Sequence, residues 1–413
     1  MKICLVSNLY PPLVHGGAEI YVGRLAAALA QDHQVIVVTT EPGAHWAPRR
    51  EVAPDGVVVY RLAPPNVAHL TTLPHHLLSQ AAFRAIDLYH PQVATAIRTI
   101  LQRERPDVVH VHNWVGLSLA AVLSGVRADR FDRVPVAMTL HDYGLCCVYA
   151  DLRHPDGHGC PPRLSCRVLS TFNRPLVDSV GLVISPSRYL LDEHRGRGFF
   201  RRAAAQVIPY GIEARPTMPA RSATKATFEI LFLGRVQSHN GTTLLVRAFR
   251  RLTDPTLRLH IAGTGPALAE CRTLSAGDPR ITLHGFVTGE ARRRLLDTAD
   301  CLVLPSVWAD NYPVSIQEAF QSGPVVIASR IGGIPEVVRD GLNGLLVEPG
   351  NEARLADAIE RLRQSPDLVT RLRAEAGKTV RLYDMAFHTS QLADAYRSLI
   401  ATNRVKPFEK KAA

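Results

Sequence analysis

No apolar run in this chain approaches the roughly 18 residues that a membrane-crossing helix needs. A spanning protein is therefore not expected. The seven cysteines are odd in number and irregularly spaced, which argues against a disulfide framework. No C-x-x-C pair of the kind common in zinc sites occurs. The only concentration, Cys146, Cys147, Cys160 and Cys166 with His154 and His158 between, leaves a structural zinc open. No metal is expected among the functional residues. Aromatics are sparse at 6% and are not interleaved with basic residues. With no helix-turn-helix or RNA-binding signature either, nucleic acid is not an expected partner. The opening M-K-I-C-L-V-S-N-L-Y-P-P lacks the long apolar region of a signal peptide and reads as a first strand. A cytoplasmic protein is expected. Internal repeats and low-complexity tracts are absent too.

What is present is ample core material, with 46% hydrophobic residues over 413 positions. That length suggests two domains of about 150 to 200 residues. The net charge of +11 is spread over both halves, +5 in residues 1–215 and +6 in residues 216–413. Such a balance suits a protein that handles phosphorylated ligands or touches an anionic membrane surface. Peripheral contact at the inner membrane face is the corresponding expectation. The clusters Arg201-Arg202, Arg250-Arg251 and Arg292-Arg293-Arg294 read as solvated surface.

Short apolar strands alternate with longer amphipathic patterns, the mark of parallel α/β domains. Strands are predicted near Ile3–Ser7, Gln34–Thr39, Val57–Leu62, Val108–Val111, Val134–Thr139, Gly181–Ile184 and Gln206–Ile208. One helix follows Gly16-Gly17, another runs through Ala81–Arg103, and a third starts after Ser187, a plausible N-cap. The segment Ala214–Thr227 has two prolines and little apolar periodicity, and reads as a linker. A second series follows, with strands Glu229–Leu233, Leu257–Ala262, Arg280–Gly285, Asp300–Leu304, Val325–Ala328 and Gly344–Val347. Helices at Glu352–Gln364, Pro366–Leu382 and Ala386–Thr402 close the chain before a lysine-rich tail. The predicted domains are residues 1–215 and 216–384, with the helix from about 385 packing back on the first. A cleft between two such domains is a favoured ligand site.

Chemistry-bearing residues fall at strand ends. In P-P-L-V-H-G-G-A-E, Gly16 and Gly17 let the backbone approach a ligand at a helix N-terminus, where unpaired N–H groups attract anions. A plain tight turn is the other reading. His141 and Asp142 follow a strand in T-L-H-D-Y, although a lone histidine is often an ordinary polar residue. Gly234 and Arg235 end a strand in L-F-L-G-R-V-Q-S-H-N-G, and arginine there suits bidentate contact with a diphosphate. The strongest signal is S-V-W-A-D-N-Y-P-V-S-I-Q-E-A-F-Q, residues 306–321. Asp310 lies in the loop after a strand, Pro313 can open the next helix, and Glu318 sits about a turn and a half further in. The two carboxylates would then share a cavity where open α/β sheets bind ligands. Helix capping and solvation are the plainer account.

This stretch resembles the signature of retaining glycosyltransferases of the GT-B type, family 4, in which two glutamates flank seven residues. Here Asp310 replaces the first. Ordered matches extend it: the G-G-A-E loop, I-S-P-S (Ile184–Ser187), I-P-Y-G-I-E (Ile208–Glu213), I-A-G-T-G-P (Ile261–Pro266) and A-S-R-I-G-G-I-P-E-V-V-R-D-G-L-N-G-L-L-V-E-P-G. The resemblance covers nearly all of Ile3 to Gly350. It implies two facing Rossmann-like domains around an interdomain cleft. It implies transfer of a sugar from a nucleotide-diphosphate donor, with retention and without cofactor or metal, to a saccharide or lipid-linked glycan. It also implies that His141 meets the donor sugar or steadies charge, and that Gly16 and Gly17 touch donor phosphate and acceptor. Arg235 would serve the diphosphate, Asp310 the sugar hydroxyls and Glu318 the ribose. Backbone groups of Asn311, Tyr312, Pro313 and Val314 would meet the phosphate, and Gly332 and Gly333 would form a close turn near the nucleotide. Three departures stand out. Asn240 occupies the place of a lysine that shares the diphosphate charge, while Tyr210 and Glu213 stand for the usual asparagine and aspartate. Asn240, Asp310 and Tyr210 keep open an attenuated homologue that binds nucleotide sugar or scaffolds a partner, and the fold by itself also admits a sugar-nucleotide epimerase.

Overall fold

The structure is a computed structural model that describes residues 1–14, 16–43, 45, 47–73, 76–127, 134–152, 163–215 and 226–405. Two sheets organise it. The first contains β1 (Lys2–Ser7), β2 (Gln34–Thr40), β3 (Arg49–Val52), β4 (Val58–Leu62), β5 (Val108–Asn113), β6 (Val136–Thr139), β7 (Leu182–Ser185) and β8 (Ala204–Val207). Their spatial order is β3-β4-β2-β1-β5-β6-β7-β8. The helices between them are α1 (Gly17–Leu29), α2 (Leu77–Asp87), α3 (Pro91–Glu104), α4 (Leu119–Arg127), α5 (Leu164–Val177) and α6 (Arg188–Gly196). In the second sheet β9 (Phe228–Leu233), β10 (Leu257–Ala262), β11 (Ile281–Gly285), β12 (Cys301–Leu304), β13 (Val325–Ser329) and β14 (Gly344–Val347) take the order β11-β10-β9-β12-β13-β14. Its helices are α7 (Thr242–Arg250), α8 (Leu268–Ser275), α9 (Gly289–Thr298), α10 (Val314–Ser322), α11 (Ile334–Val337), α12 (Glu352–Gln364), α13 (Pro366–Thr379) and finally α14 (Met385–Val405).

The near-continuous apolar strands follow from this architecture, because parallel strands are covered on both faces. β1, β12 and β13 are buried almost throughout. Each sheet reverses its winding once, between β1 and β5 and again between β9 and β12. Those are the topological switch points, where loops at the carboxyl ends of the strands leave a crevice.

Several expectations need correction. The helix predicted through Ala81–Arg103 is two helices, because Pro91 cannot continue one but can start the next at its first turn. β3, at Arg49–Val52, is not among the predicted strands and is the only antiparallel strand among the described residues. Its alternation is too polar to signal a strand. The helix expected through Leu382 ends at Thr379 and tightens into a 3₁₀ turn. Most of the predicted linker, all of the tail beyond residue 405, and Cys160, His154 and His158 lie outside the described residues. Cys4, Cys146, Cys147, Cys166, Cys271 and Cys301 are buried free thiols. No described helix is long and apolar enough to cross a membrane.

The two sheets share a core. One buried cluster runs from Ile3 and Leu25 through Tyr210 and Ile212 to Tyr312, Ile316 and Tyr383, and on to Leu392 and Tyr396 of α14. α14 packs along α1, with the Tyr21 hydroxyl 2.7 Å from His388 Nε2 and the Tyr396 hydroxyl 2.6 Å from His110 Nδ1.

Candidate functional site

The second sheet contributes two adjacent loops, one after β9 and one after β12, at its switch point. They are tied by Val307 N donating to His239 O at 2.8 Å and by edge contact of the His239 and Trp308 rings at 5.3 Å. The Arg235 guanidinium is exposed and forms no side-chain hydrogen bond or ion pair among the described residues. Asn240 ends a 3₁₀ turn, and its Nδ2 donates to the Arg235 carbonyl at 2.8 Å. The amide thus closes the loop that carries Arg235.

After β12 the chain turns sharply at Asp310. Burial pushes its carboxyl up to about 6, while the backbone N–H groups of Tyr312 and Asn311 hold it down. The turn exists because two glycines press against it. Gly332 has φ +62°, and a Cβ there would lie 2.4 Å from Asp310 O. Gly333 N donates to Asp310 O at 2.8 Å, and a Cβ on it would lie 2.0 Å from Asn311 O. Larger residues would displace the loop.

Pro313 is the N-cap of α10, Val314 its first residue, and Glu318 lies on the same helix. Pro313 has no backbone N–H, and those of Asn311 and Tyr312 are turned to the Asp310 carboxylate, so of the four residues expected to meet a phosphate Val314 keeps its N–H for one. Glu318 is ion-paired with Arg292 of α9. Arg292 is therefore not the plain solvated surface expected of its cluster.

The first sheet faces these loops. Gly16 is the N-cap of α1, and its N–H donates to Glu19 Oε2 at 2.7 Å, which buries that carboxylate at the helix start. His141, just past β6, is engaged at both ring nitrogens. Its Nε2 lies 3.0 Å from His112 Nδ1 and its Nδ1 lies 2.8 Å from the Tyr210 hydroxyl, with the Tyr210 ring stacked on it at 5.6 Å. Burial depresses His141 and His110 to about 3 and His388 to about 4, and drives His112 well below the usual imidazole range. These rings are neutral at pH 7 and act as hydrogen-bonding groups, not charges. Asp142 beside them accepts from Gly144 N at 2.7 Å, and burial raises its carboxyl.

The loops meet across the cleft. Asn311 Nδ2 donates to His141 O at 2.8 Å, and the Tyr143 hydroxyl donates to Ala309 O at 3.0 Å. The Glu336 carboxylate accepts from Arg188 N at 2.8 Å and Tyr189 N at 2.7 Å, so the second domain caps α6 of the first. The structure thus gathers Asp310, Asn311, Tyr312, Gly332, Gly333 and His141 into one cluster. Arg235 and Asn240 stand on the loop next to it. Glu318 is deeper in α10, and Gly16-Gly17 open α1 on the opposite sheet. A groove of about 1120 Å³ between α1 and α14, with Arg24, Glu213 and Arg397 in its lining, is lined by none of these residues and lies apart from the chemistry.

Sequence reasoning missed His110 and His112, Arg292, Glu336, Tyr143 and Trp308. Only the histidines left a signal. H-V-H at the end of an apolar strand puts two imidazoles on one face with period 2. The others act across the fold and depend on which loops meet.

Two family models match the chain. One, described as a glycosyl transferase 4-like domain, covers residues 16–211, and the other, glycosyl transferases group 1, covers residues 227–365. An uncharacterized glycosyltransferase of Methanocaldococcus jannaschii is 27% identical over 88% of this chain and 89% of its own length. Among solved structures, sucrose-phosphate synthase from Thermosynechococcus elongatus superposes with a TM-score of 0.76 at 22% identity, covering 97% of this chain and 99% of that one. HepE of Anabaena in complex with UDP gives 0.70 at 18% identity, covering 96% of this chain and all of the other.

Proposed function

Because the chain belongs to the group 1, family 4-like glycosyltransferases and has their GT-B fold, we propose that it moves a sugar from a nucleotide-diphosphate donor to a saccharide or lipid-linked glycan. The observation that carries this reading is the Asp310 turn, wedged by Gly332 and Gly333 beside the exposed Arg235 at the second switch point. It offers a carboxylate for sugar hydroxyls, a guanidinium for a diphosphate and the N-terminus of α10 for further phosphate charge. Glu318 binds the ribose hydroxyls, exchanging its Arg292 contact for them. Gly16 and Gly17 face donor phosphate and acceptor, and His141 contacts the donor sugar or steadies charge beside it.

The path is front-face. The acceptor oxygen bonds to the anomeric carbon on the side from which the nucleotide diphosphate departs, and the departing phosphate oxygen takes the acceptor proton. Configuration is retained. Arg235 stabilises the charge on the leaving group. The carboxylates bind and do not serve as an acid/base pair. No metal is required, because Arg235 and backbone amides meet the diphosphate. The protein works in the cytoplasm, and its basic balance favours contact with the anionic inner membrane face.

A second reading has its own observation. Asn240 carries no charge, and its amide is spent on the Arg235 carbonyl. That favours an attenuated catalyst or nucleotide-sugar-binding scaffold. Following transfer from UDP- and GDP-sugars by NMR, in the presence of a chelator, tests the proposal. A product glycoside with the donor's anomeric configuration supports it. Inversion, or turnover abolished by the chelator, refutes the mechanism, and binding without turnover favours the scaffold.

A further inference from the structure

Helix α5 is inside out. Cys166, Ser170, Asn173 and Val177 face the domain, and the inward polar groups bond to it: Asn173 Nδ2 donates to Leu145 O at 3.0 Å and the Ser170 hydroxyl to Cys146 O at 3.5 Å. The outward face carries Leu164, 78% exposed, Val168, 62% exposed, and Phe172, 39% exposed. These recur every fourth residue and so form one stripe. A helix that merely faced water would carry the opposite pattern.

The stripe does not stand alone. The Arg163 guanidinium, at the N-cap of α5, lies 6.0 Å over the ring of Tyr149, which is half-exposed. Arg84 of α2 donates to Val148 O at 3.2 Å, which ties α2 to the loop that carries Tyr149. α2 also turns Leu78, 86% exposed, and Ile86 outward, and Leu88 and Tyr89 just beyond its end are exposed too. Within α5 the charge has one sign, with Asp178 entering only at its C-cap. From Leu164 to Val177 there is no carboxylate, whereas Arg163, Arg167 and Arg174 lie on or at the end of the helix. Exposed apolar residues with arginines between them, on a helix lying flat against its domain, match an interfacial helix.

We propose that the outer faces of α5 and α2 dock this domain on an anionic bilayer, with Leu164, Val168 and Phe172 entering the acyl boundary and Arg163 and Arg167 meeting headgroup phosphates. The proposal rests on the membrane contact read under Proposed function and assigns it a surface. α5 runs back from the carboxyl end of the first sheet, and Asn173 and Ser170 hold the loop that follows His141. Docking on this face therefore sets the cleft rim beside the membrane, where a lipid-anchored acceptor presents its headgroup.

The test uses the full chain with vesicles of phosphatidylcholine containing about one third phosphatidylglycerol, and with pure phosphatidylcholine vesicles as reference. The wild type is expected to cosediment with the anionic vesicles, less with neutral ones, and less as salt rises. Val168→Asp with Phe172→Asp should lower partitioning by at least about tenfold, and Arg167→Gln by a smaller factor. Circular dichroism and thermal midpoint confirm that these surface variants fold. Failure of the wild type to bind either vesicle overturns the membrane reading itself. Wild-type binding matched by both variants leaves that reading standing and overturns the assignment to α5. A concentration-dependent increase in mass, abolished in the double variant and without lipid binding, overturns it in favour of a second copy on the same face.

Discussion

Mild acid should destabilise this protein steeply, and the cause lies in its buried imidazoles. His110 and His141 titrate at about 3, His194 and His388 at about 4 and His112 well below its ordinary value, each chiefly through burial. An unfolded histidine titrates near 6.5. Between pH 6.5 and about 4 the unfolded chain therefore binds protons that the folded chain refuses, so stability present above pH 6.5 is lost as pH falls. Asp87 and Asp310 act in the opposite sense. Burial raises both to about 6, so below that pH they hold protons when folded that they release when unfolded. Setting His110, His141, His194 and His388 against Asp87 and Asp310 leaves about two protons, or about 3 kcal/mol per pH unit near pH 5, while His112 and Asp142 add shifts of opposite sense. A single domain typically has only about 5–15 kcal/mol in total. Urea titrations at pH 7, 6 and 5, followed by circular dichroism, should show the midpoint collapsing between pH 6 and 5. His110→Asn should reduce the slope by about 1.4 kcal/mol per pH unit. Unchanged midpoints down to pH 5 would refute the reasoning, because the imidazoles would then be protonated in the folded state at no cost.

Three substitutions address the site. Asn240→Lys loses a loop hydrogen bond of about 1 kcal/mol and places a cation by the diphosphate worth about 2 to 4 kcal/mol in the transition state. If the wild type is attenuated, kcat should rise by roughly 30- to 1000-fold, whereas an unchanged kcat in a folded variant means the leaving-group charge is already met. Gly333→Ala puts a Cβ 2.0 Å from Asn311 O. It should cost about 1 to 3 kcal/mol and weaken nucleotide binding, measured by melting and calorimetry; native affinity would show that the turn is not what shapes the site. Glu336→Gln removes the charged cap that joins the second domain to α6. The link should weaken by about 0.3–1 kcal/mol and the radius of gyration in small-angle scattering should rise, whereas an identical scattering curve would count against a closing role for Glu336.

Much of the framework is legible because parallel strands write themselves as apolar runs. All six strands of the second sheet fall within a residue of their predicted places. β3 escapes because an edge strand with arginine and glutamate at alternate positions carries no apolar run. The split between α2 and α3 was signalled by Pro91 alone. At the site, strand-end motifs point to Asp310, Arg235 and His141, since chemistry collects where strands stop. What those residues touch is another matter. That Arg292 pairs with Glu318, that Asn311 reaches His141 O, and that Glu336 caps a helix of the other domain depend on contacts between residues far apart in the chain. No local pattern encodes them. The inverted polarity of α5 could have been read from the sequence, but only with knowledge of which face the domain covers.

The most direct test of the central claim is calorimetric titration with UDP, GDP, ADP and TDP, on the wild type and on Arg235→Ala and Glu318→Gln. The account predicts selective binding of one nucleotide diphosphate, lost or sharply weakened in both variants, with thermal midpoints showing that each remains folded. Absence of binding by all four to the wild type, or binding that both variants retain in full, would contradict the placement of a nucleotide-sugar site at the Asp310 turn.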